Sequence, residues 1–457
     1  MLRLLPLVLT ATLGGFLFGF DSGVINGTVE SLQRAFHSDS VGTGFNVASM
    51  LLGCALGALL AGALADRHGR KPVLLATAAA FIVSAWGSGA VATAAPFVFY
   101  RVLGGLAVGA ASVICPAYIG EIAPPRARGR LIALQQFMIV LGLFASFLNN
   151  WLIARAAGSP DAVLWLGHAA WRWMFWAELA PALLFLLALF AIPESPRFLA
   201  AAGRHAQAAA VFRRIAPGDD PAESIRRVVE SVTHRPRLLD LLDPVTRRPR
   251  KLVLVGAALA ALQQLSGINV VFYYGATLWQ AAGFSTDDAL LTNVITGAVN
   301  ILSTVAAIAL VDRAGRRPLL LAGSAGMTLT LGTLALLFAA NTTAGGLSLG
   351  PVAGPAALVV ANLFVVCFGV TWGPIVWTLL GEMFPTQFRG AALSLAGLSL
   401  WLVNFAVTMT FPVMLSALGL GLTYGLYTAA AALSLRFVWK HIAETKGRSL
   451  EDMRPAN

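Results

Sequence analysis

The sequence predicts an all-α membrane protein with twelve transmembrane helices arranged in two six-helix bundles. The first observation is composition: 58% of the 457 residues are hydrophobic and only 12% are charged. A soluble protein cannot cover that much apolar surface. The second observation is that the apolar residues fall in runs of about 20 or more, the length that crosses roughly 30 Å of hydrocarbon. The third is a charged phrase that occurs twice and divides these runs into two matching sets.

The runs of spanning length form two sets of six. The first set comprises residues 5–29, 44–65, 73–94, 97–121, 131–154 and 171–193, and the second comprises residues 252–282, 289–311, 318–340, 355–383, 389–417 and 420–440. The first run continues into Phe20-Asp21-Ser22-Gly23 without a small-residue cleavage site, so we interpret it as a transmembrane helix. The predicted domains are an N-terminal bundle (1–196), a cytoplasmic linker of short helices (197–250), a C-terminal bundle (251–442) and a cytoplasmic tail (443–457).

The repeated charges lie at the boundaries of the apolar runs. Asp66-Arg67-His68-Gly69-Arg70-Lys71-Pro72 returns as Asp312-Arg313-Ala314-Gly315-Arg316-Arg317-Pro318, and Glu121-Ile122-Ala123-Pro124 with Arg128-Gly129 returns as Glu382-Met383-Phe384-Pro385 with Arg389-Gly390. A looser echo links Glu194 to Glu444. Matching charges at matching boundaries indicate two duplicated halves that work as a unit, and not an enzyme with a membrane anchor.

We expect these charges to pair at the cytoplasmic ends of neighbouring helices and to form a latch that breaks when this side opens. The alternative is that they only fix topology and cap helices. The predicted latch consists of Asp66, Arg67, Arg70, Glu121, Arg128, Glu194, Arg197, Asp312, Arg313, Arg316, Glu382, Arg389 and Glu444.

The basic residues predict the orientation of the chain. With both termini in the cytoplasm, all but four of the 32 Lys and Arg residues face the cytoplasm, as the positive-inside rule requires. The exceptions are Arg34, Arg101, Arg155 and Arg172. The net charge of +11 is therefore an orientation signal with some attraction to anionic lipid, and not a nucleic-acid surface. Composition and short loops favour a multi-pass protein of a bacterial inner membrane.

We expect three charged residues to be buried inside the predicted spans: Asp21, Arg101 and Glu178. Charges at this depth are costly and usually functional, and helix rise places all three at comparable depth in the first half. The charges of an Asp21–Arg101 pair balance each other while Asp21 is ionised. Protonation of Asp21 would remove its charge and so release Arg101. The alternatives are a static ion pair that fixes helix register and, for Glu178, a contact with Arg172 at the outer mouth.

Further motifs run along the whole chain. They are Gly62-Ala63-Leu64-Ala65-Asp66-Arg67-His68-Gly69-Arg70-Lys71, Arg101 with Gly104-Gly105, Pro116-Ala117-Tyr118-Ile119-Gly120-Glu121, Pro193-Glu194-Ser195-Pro196-Arg197, Gln263-Gln264-Leu265-Ser266-Gly267-Ile268-Asn269 with Tyr273-Tyr274, Trp372-Gly373-Pro374, and Glu444-Thr445-Lys446-Gly447. In this order they resemble the sugar porter family of the major facilitator superfamily. The resemblance implies the major facilitator fold and sugar transport. It also implies proton coupling, because proton-coupled members carry Asp and Arg at the positions of Asp21 and Arg101, and some bacterial members carry an acid at the position of Glu178.

A sugar that has lost its water needs neutral hydrogen-bond partners and flat aromatic faces. Residues near mid-depth that supply this chemistry are Gln136, Gln263, Gln264, Asn269, Asn300, Asn404, Trp377, Trp401, Phe16, Tyr273, Phe368 and Trp372. The resemblance matches Gln136, Gln263, Gln264, Asn269, Asn300 and Trp377 to sugar contacts in the family. The alternatives are that the amides join helices, above all Asn300 and Asn404, and that Phe368, Trp372 and Trp401 only pack. Leu143 and Leu400 replace polar residues of the family, which leaves the exact sugar open.

We therefore expect a proton-coupled monosaccharide importer, with glucose favoured, that works by alternating access as a monomer and needs no cofactor beyond the proton gradient. An uncoupled sugar facilitator is the nearest alternative, and a membrane sugar sensor is more distant. The sequence contains no Walker motif, metal-ligand spacing or recognisable nucleophile–base set, so we predict neither an enzyme nor a metal site. The expected partners are the sugar, protons and the lipid bilayer, without nucleic acid.

Overall fold

The computed structural model describes residues 4–124, 127–215, 220–231, 241–242, 247–343, 346–384 and 388–444. The N-terminal bundle consists of long apolar helices with short connectors. They are α1 (Leu5–Val24), a 3₁₀ turn (Ile25–Gly27), α2 (Val29–Ala35), α3 (Ser40–His68), α4 (Arg70–Ala90), α5 (Ala94–Ile122), α6 (Arg128–Ala157), α7 (Ala170–Trp176) and α8 (Leu179–Ala191). An antiparallel hairpin of β1 (Val163–Trp165) and β2 (His168–Ala169) lies between α6 and α7.

Short helices follow, and then the C-terminal bundle. The short ones are α9 (Pro196–Ala201), α10 (His205–Ile215) and α11 (Pro221–Ser231). The bundle consists of α12 (Lys251–Leu265), α13 (Ile268–Tyr273), α14 (Gly275–Ala281), α15 (Thr286–Ala314), α16 (Arg316–Ala340), α17 (Ala353–Cys367), a π-helical turn (Phe368–Trp372), α18 (Gly373–Met383) and α19 (Arg389–His441). A second hairpin, β3 (Thr342–Thr343) and β4 (Gly346–Leu347), joins α16 to α17.

The predicted twelve spans are confirmed. Among the described residues, eleven helical segments are long and apolar enough to cross a membrane. The last of them, α19, contains two spans, because Gly419 has a φ of 73° and a ψ of 173° that interrupt the helix. The seventh span is also interrupted, at Gly267 and again at Tyr274, so that it is built from α12, α13 and α14.

Small residues allow the helices of a bundle to approach closely. Gly53 and Gly57 of α3 lie against the backbone of Val102 and Leu106 on α5. Gly105 of α5 lies against the backbone of α3 in return. A Cβ atom at these glycines would meet backbone atoms of the other helix, so a larger residue would separate the pair. Such small-residue contacts are a main source of helix association in membranes.

Two helix pairs join the bundles. The α3 helix packs on α19, and α6 packs on α15. Gly44 of α3 abuts the backbone of Met409, while Gly297 of α15 lies against the rings of Phe144 and Phe147. The α1 helix also contacts α13 of the other bundle.

The repeated charged phrase builds the same turn in each half. Gly69 connects α3 to α4 with a φ of 102°, and Gly315 connects α15 to α16 with a φ of 87°. Glycine adopts this backbone without strain, and the carboxylates of Glu194 and Glu444 lie where a Cβ atom would stand. We call the end of the molecule that carries these turns the motif side, and the other end the opposite side.

Three short helices, α9 to α11, lie in the described part of the predicted linker. Leu199 and Ala200 of α9 pack with Ala208 and Val211 of α10, and Ile225 of α11 packs against them. Residues 216–219, 232–240 and 243–246 of the predicted linker lie outside the described residues, as do residues 445–457 of the predicted tail. The domain boundaries as such remain predictions.

Candidate functional site

The charges inside the N-terminal bundle form one cluster. Asp21 of α1 and Arg101 of α5 are each only 1% exposed. Arg101 Nη1 donates to Asp21 Oδ1, and Nη2 donates to the Asp21 carbonyl at 3.2 Å. The guanidinium also contacts Met50 Sδ at 2.8 Å and lies 5.8 Å from the centre of the Phe175 ring. Asp21 and Arg101 are therefore in direct contact, and they join α1 to α5.

The ion pair leaves some of its hydrogen-bonding capacity unused. Asp21 Oδ2 and Arg101 Nε have no partner among the described residues. Gly104 leaves room for the carboxylate, since a Cβ atom there would stand 2.8 Å from Oδ2. A buried ion pair with unmet hydrogen bonds contributes little to stability, which favours a functional role for these charges over a purely structural one.

Glu178 completes the cluster. It is 1% exposed, stands at the junction of α7 and α8, and lies close enough to Asp21 and Arg101 to interact electrostatically with both. Its Oε1 finds no hydrogen-bond partner in the described part of the chain. Arg172, the alternative partner, donates instead to the Gly89 carbonyl at the end of α4, at 2.6 Å. Glu178 therefore belongs with Asp21 and Arg101.

Three of the predicted amides form a chain in the C-terminal bundle. Asn269 Nδ2 donates to Gln264 Oε1 at 2.5 Å, and Gln264 Nε2 donates to Gln263 Oε1 at 3.3 Å. Gln263 Nε2 donates in turn to the Trp372 carbonyl at 2.7 Å. The glutamines lie in the last turn of α12, and the left-handed backbone of Gly267 brings Asn269 back beside them. Gln263 Nε2 also lies 3.4 Å from the Gly373 carbonyl. The NH₂ groups of Gln264 and Asn269 each carry a second hydrogen, so this amide chain is able to bind hydroxyl groups.

Tyr273, the last residue of α13, brings the C-terminal bundle next to the charge cluster. It is buried and lies next to Asn404 of α19 and Ser22 of α1. Ser22, Met50, Arg101 and Tyr273 also line one small cavity. The surroundings of the ion pair in the N-terminal bundle are therefore in contact with polar groups of the C-terminal bundle.

Gln136 of α6 is one of the predicted sugar contacts. Its side chain is exposed, and it lies on the same face of α6 as Leu143 and Phe147. The Phe147 ring lies 6.5 Å from the ring of Phe272 on α13. Its neighbour Gln135, by contrast, is buried against Gly15 of α1.

The predicted aromatic contacts do not share one surface. Trp372 is fully buried, and its Nε1 donates to Ser324 Oγ on α16 at 2.9 Å. Trp401 is buried and lies 6.0 Å from the Phe18 ring across the bundle interface. Trp377 is exposed and lies beside Gly397. The other predicted aromatic contacts are Phe368 and Phe16, which are both half-buried, with Phe16 beside Phe20. The predicted amide Asn300 is buried near Gly369.

Sequence reasoning missed a hydrogen-bond network on the opposite side. Asn26 Nδ2 donates to the Phe272 carbonyl at 2.7 Å. Asn26 Oδ1 accepts from the Ala276 N–H at 3.1 Å and from Asn293 Nδ2 at 3.0 Å. This Asn26 network joins the end of α1 to α13, α14 and α15, and therefore one bundle to the other. The available signal was the presence of Asn in apolar runs, since amides join membrane helices.

On the motif side, the charges of the N-terminal bundle pair with one another. Arg70 Nη2 lies 2.9 Å from Glu121 Oε1 and 3.1 Å from Asp66 Oδ1. Glu194 Oε1 accepts from the Arg70 N–H at 2.9 Å, and Ser195 Oγ donates to Glu121 Oε2 at 2.5 Å. All these contacts stay within one bundle.

The C-terminal bundle repeats the arrangement. Arg316 Nη2 lies 2.9 Å from Glu382 Oε1, and Glu444 Oε1 accepts from the Arg316 N–H at 3.1 Å. Arg389 Nε donates to the Phe384 carbonyl at 3.0 Å. Arg313, another predicted latch residue, is exposed. The predicted latch residues Arg67, Arg128 and Arg197 are also exposed, and these three form no ion pair with any described residue. The side chain of Asp312 lies outside the described residues.

Comparison with known proteins identifies the family. The family model described as "Sugar (and other) transporter" matches residues 7–456. A glucose transport protein of Synechocystis is 53% identical over 447 residues, which cover 97% of this chain and 95% of that protein. A D-xylose-proton symporter of Escherichia coli is 37% identical over 479 residues, with 98% and 94% covered. The Escherichia coli xylose transporter in a partially occluded inward open conformation matches with a TM-score of 0.85 at 35% identity, covering 98% of this chain and all of that one. The predicted fold class is thereby confirmed, and the chain belongs to this family of sugar transporters.

Proposed function

We propose that the protein imports a monosaccharide together with a proton by alternating access. The observation that carries the proposal is the buried Asp21–Arg101 pair with Glu178 beside it, in a chain of the sugar transporter family. The names of the two relatives support a sugar as substrate, and one of them supports the proton as the coupled ion. Glucose is the first sugar to test, because the relative named for it is 53% identical.

Asp21 is the proposed proton carrier. While it is ionised, its charge holds Arg101 and so holds α1 against α5. When Asp21 takes up a proton, this attraction is lost and the guanidinium is left buried with Glu178 as the nearest acid. Tyr273 and Ser22 lie beside the pair. A movement of Arg101 would therefore change the contacts between the N-terminal bundle and the C-terminal bundle near Asn404.

The amide chain of Gln263, Gln264 and Asn269 is the proposed sugar site, with Gln136 approaching from the N-terminal bundle. Neutral amides pair with hydroxyl groups in a space from which water is excluded. Trp377 is the aromatic side chain best placed for stacking, since its ring is exposed while those of Trp372 and Trp401 are packed against protein. A sugar held by residues of both bundles would stabilise their closure around it.

Alternating access is supported by where the bundles are bonded to one another. The Asn26 network closes the opposite side across the bundle interface, while the motif-side charges pair inside each bundle. The similarity to a partially occluded inward open conformation of the xylose transporter agrees with this arrangement. We propose that the protein works as a monomer in a bacterial inner membrane, with both termini in the cytoplasm.

Transport by purified protein in liposomes tests the proposal. With a proton gradient directed inward, the wild type is expected to accumulate labelled D-glucose above the external concentration. Asp21→Asn is expected to abolish accumulation and to retain exchange of labelled for unlabelled glucose, because the sugar site is intact. Asp161→Asn is the matched control: it also removes an Asp–Arg ion pair, at 2.6 Å from Arg34, but an exposed one, and it should accumulate as the wild type does.

Two outcomes would contradict the proposal in different ways. Accumulation by Asp21→Asn would remove the proton role of this residue. Equilibration of glucose by the wild type without accumulation, at any proton gradient, would favour the uncoupled facilitator instead.

A further inference from the structure

The hairpin between α6 and α7 carries an aromatic cluster on the opposite side of the N-terminal bundle. The ring centres of Trp165 and Trp173 are 5.3 Å apart, those of Trp173 and Trp176 are 5.0 Å apart, and those of Trp176 and His168 are 5.1 Å apart. Trp173 Nε1 donates to the Trp165 carbonyl at 3.3 Å, and Trp176 Nε1 donates to the Trp86 carbonyl at 3.0 Å. The first bond joins the hairpin to α7, and the second joins α7 to the end of α4.

The hairpin is also fixed to the rest of the bundle. Asp161, just before β1, pairs with Arg34 of α2 at 2.6 Å. The Trp171 N–H donates to the Pro160 carbonyl at 2.8 Å. The hairpin therefore has a defined height relative to the helix ends.

The tip of this hairpin exposes large apolar side chains. Val163 is 67% exposed, Trp165 is 56% exposed and Leu166 is 85% exposed. Leu166 also has a φ of 52°, a left-handed backbone that a bulky residue rarely adopts and that Asn or Gly adopts more readily. In water, a polar residue such as Asn would suit both the exposure of this position and its left-handed backbone. The three exposed apolar side chains indicate that the tip meets a less polar medium.

The location of the hairpin identifies that medium. The α4 helix packs on α5, α7 and α8, at the edge of the molecule, whereas α3 and α6 contact the other bundle. Leu184 and Leu187 of α8 are exposed on this edge, and Trp86 is exposed one turn before the end of α4. The tip therefore continues the lipid-facing surface at the level where a spanning helix ends. Tryptophan is enriched at that level because its ring sits between headgroups and acyl chains.

The duplicated half carries no such hairpin at the corresponding position. The corresponding connection in the C-terminal bundle, between the two spans of α19, is the interruption at Gly419. Its sequence, Ser416-Ala417-Leu418-Gly419-Leu420-Gly421-Leu422, contains no aromatic residue. A feature that only one half carries serves a purpose of that half.

We propose that the hairpin tip, formed by Val163, Trp165 and Leu166, inserts into the headgroup region of the leaflet on the opposite side. It would anchor the N-terminal bundle to that leaflet, so that the C-terminal bundle moves against a half that is held at constant depth. The partner is the lipid surface itself. The proposal holds whether or not sugar transport is coupled to a proton.

Spin-label accessibility in liposomes tests this anchor. Leu166→Cys is made together with Cys367→Ala, because Cys54 and Cys115 are buried and Cys367 is only partly so. In power-saturation EPR, a label at position 166 is expected to collide more with oxygen, which concentrates in lipid, than with a water-soluble nickel chelate. The matched control is Ser348→Cys, in the exposed loop on the same side of the C-terminal bundle, where the order of the two accessibilities should be reversed.

Two results of the spin-label experiment would overturn the proposal. One is equal accessibility of the chelate to labels at positions 166 and 348, which would place the tip in water. The other is protection of position 166 from both oxygen and chelate, which would mean that protein, such as a second copy of the chain, covers it. If Leu166→Cys fails to fold, tryptophan quenching by lipids brominated near the headgroup gives the same information. Trp165→Phe should lose part of that quenching, and unchanged quenching would contradict the anchor.

Discussion

At the residue scale, the amide chain gives the sharpest expectation about the sugar. Gln264 is its middle member and bonds to both Asn269 and Gln263. Gln264→Ala is expected to raise the KM for glucose by about tenfold with little change in maximal rate, because losing one or two hydrogen bonds costs about 1–2 kcal/mol. Initial uptake rates over a range of glucose concentrations measure this effect.

The control is another amide in the same bundle. Asn362 donates to the Leu358 carbonyl of its own helix at 2.9 Å, so Asn362→Ala should leave the KM unchanged. Equal KM values for the wild type and Gln264→Ala would remove the amide chain from the sugar site.

Trp372 was predicted to contact the sugar, but its hydrogen bonds favour a structural role. Its indole N–H bonds to Ser324 Oγ and to the Leu320 carbonyl inside the C-terminal bundle. Trp372→Phe keeps the apolar bulk but loses these bonds, so we expect the free energy of unfolding to fall by about 1–3 kcal/mol. Thermal unfolding in detergent measures this loss. The KM for glucose should stay near that of the wild type, and a large rise in KM at unchanged stability would show that the ring contacts the sugar after all.

The sequence predicted which residue types form the site better than it predicted their directions. Asp21, Arg101 and Glu178 could be grouped because helix rise alone gives their depth. The direction of Trp372 could not be predicted, since the π-helical turn before α18 changes the rotation of the helix by an amount that no periodicity reveals. Asn26 was overlooked because an Asn at a helix end resembles a cap, and its partners come from the other half of the chain.

At the scale of elements, the Asn26 network connects α1 to three helices of the other bundle. Asn26→Ala removes all three of its hydrogen bonds, each with a net contribution of about 0.5–1.5 kcal/mol. The population open on the opposite side should therefore rise by about tenfold or more. Labelling of a cysteine at position 273, behind this network, by a membrane-impermeant maleimide measures that population.

The matched control is Asn149→Ala. Asn149 is also an amide near the end of a spanning helix, but it donates to the Met174 carbonyl at 3.3 Å, inside the N-terminal bundle. It should leave the labelling rate unchanged. The same rate for Asn26→Ala as for this control would mean that the network does not hold the bundles closed.

Contacts between elements also explain the four basic residues that depart from the positive-inside pattern. All four basic residues predicted to lie away from the cytoplasm have partners in the structure. Arg34 pairs with Asp161, Arg101 pairs with Asp21, Arg172 caps α4 and Arg155 lies over the Trp151 ring at 5.1 Å. Each exception to the positive-inside pattern is thus compensated locally, while the cytoplasmic placement of the termini stays a prediction.

At the scale of the whole molecule, the motif-side charges indicate how the two halves move. The sequence predicted a latch that breaks when this side opens, and the structure shows the charges paired inside each bundle. Ion pairs of this kind favour bundles that move as rigid bodies, with each charge cluster intact throughout the cycle. The latch and the rigid body differ in what they predict for distances within one bundle.

Distances between spin labels distinguish the two. Arg67 is exposed on the N-terminal bundle, Arg197 on the adjoining short helix α9, and Arg313 on the C-terminal bundle, all on the motif side. With cysteines at positions 67 and 313, pulsed EPR is expected to show a distance that changes when glucose is added or the pH is lowered, because the bundles rock against each other. With cysteines at positions 67 and 197, the distance should stay constant, because Arg70, Glu121 and Glu194 clamp those helix ends together. A 67–197 distance that changes together with the 67–313 distance would restore the latch, since the clamp would then have to open in each cycle.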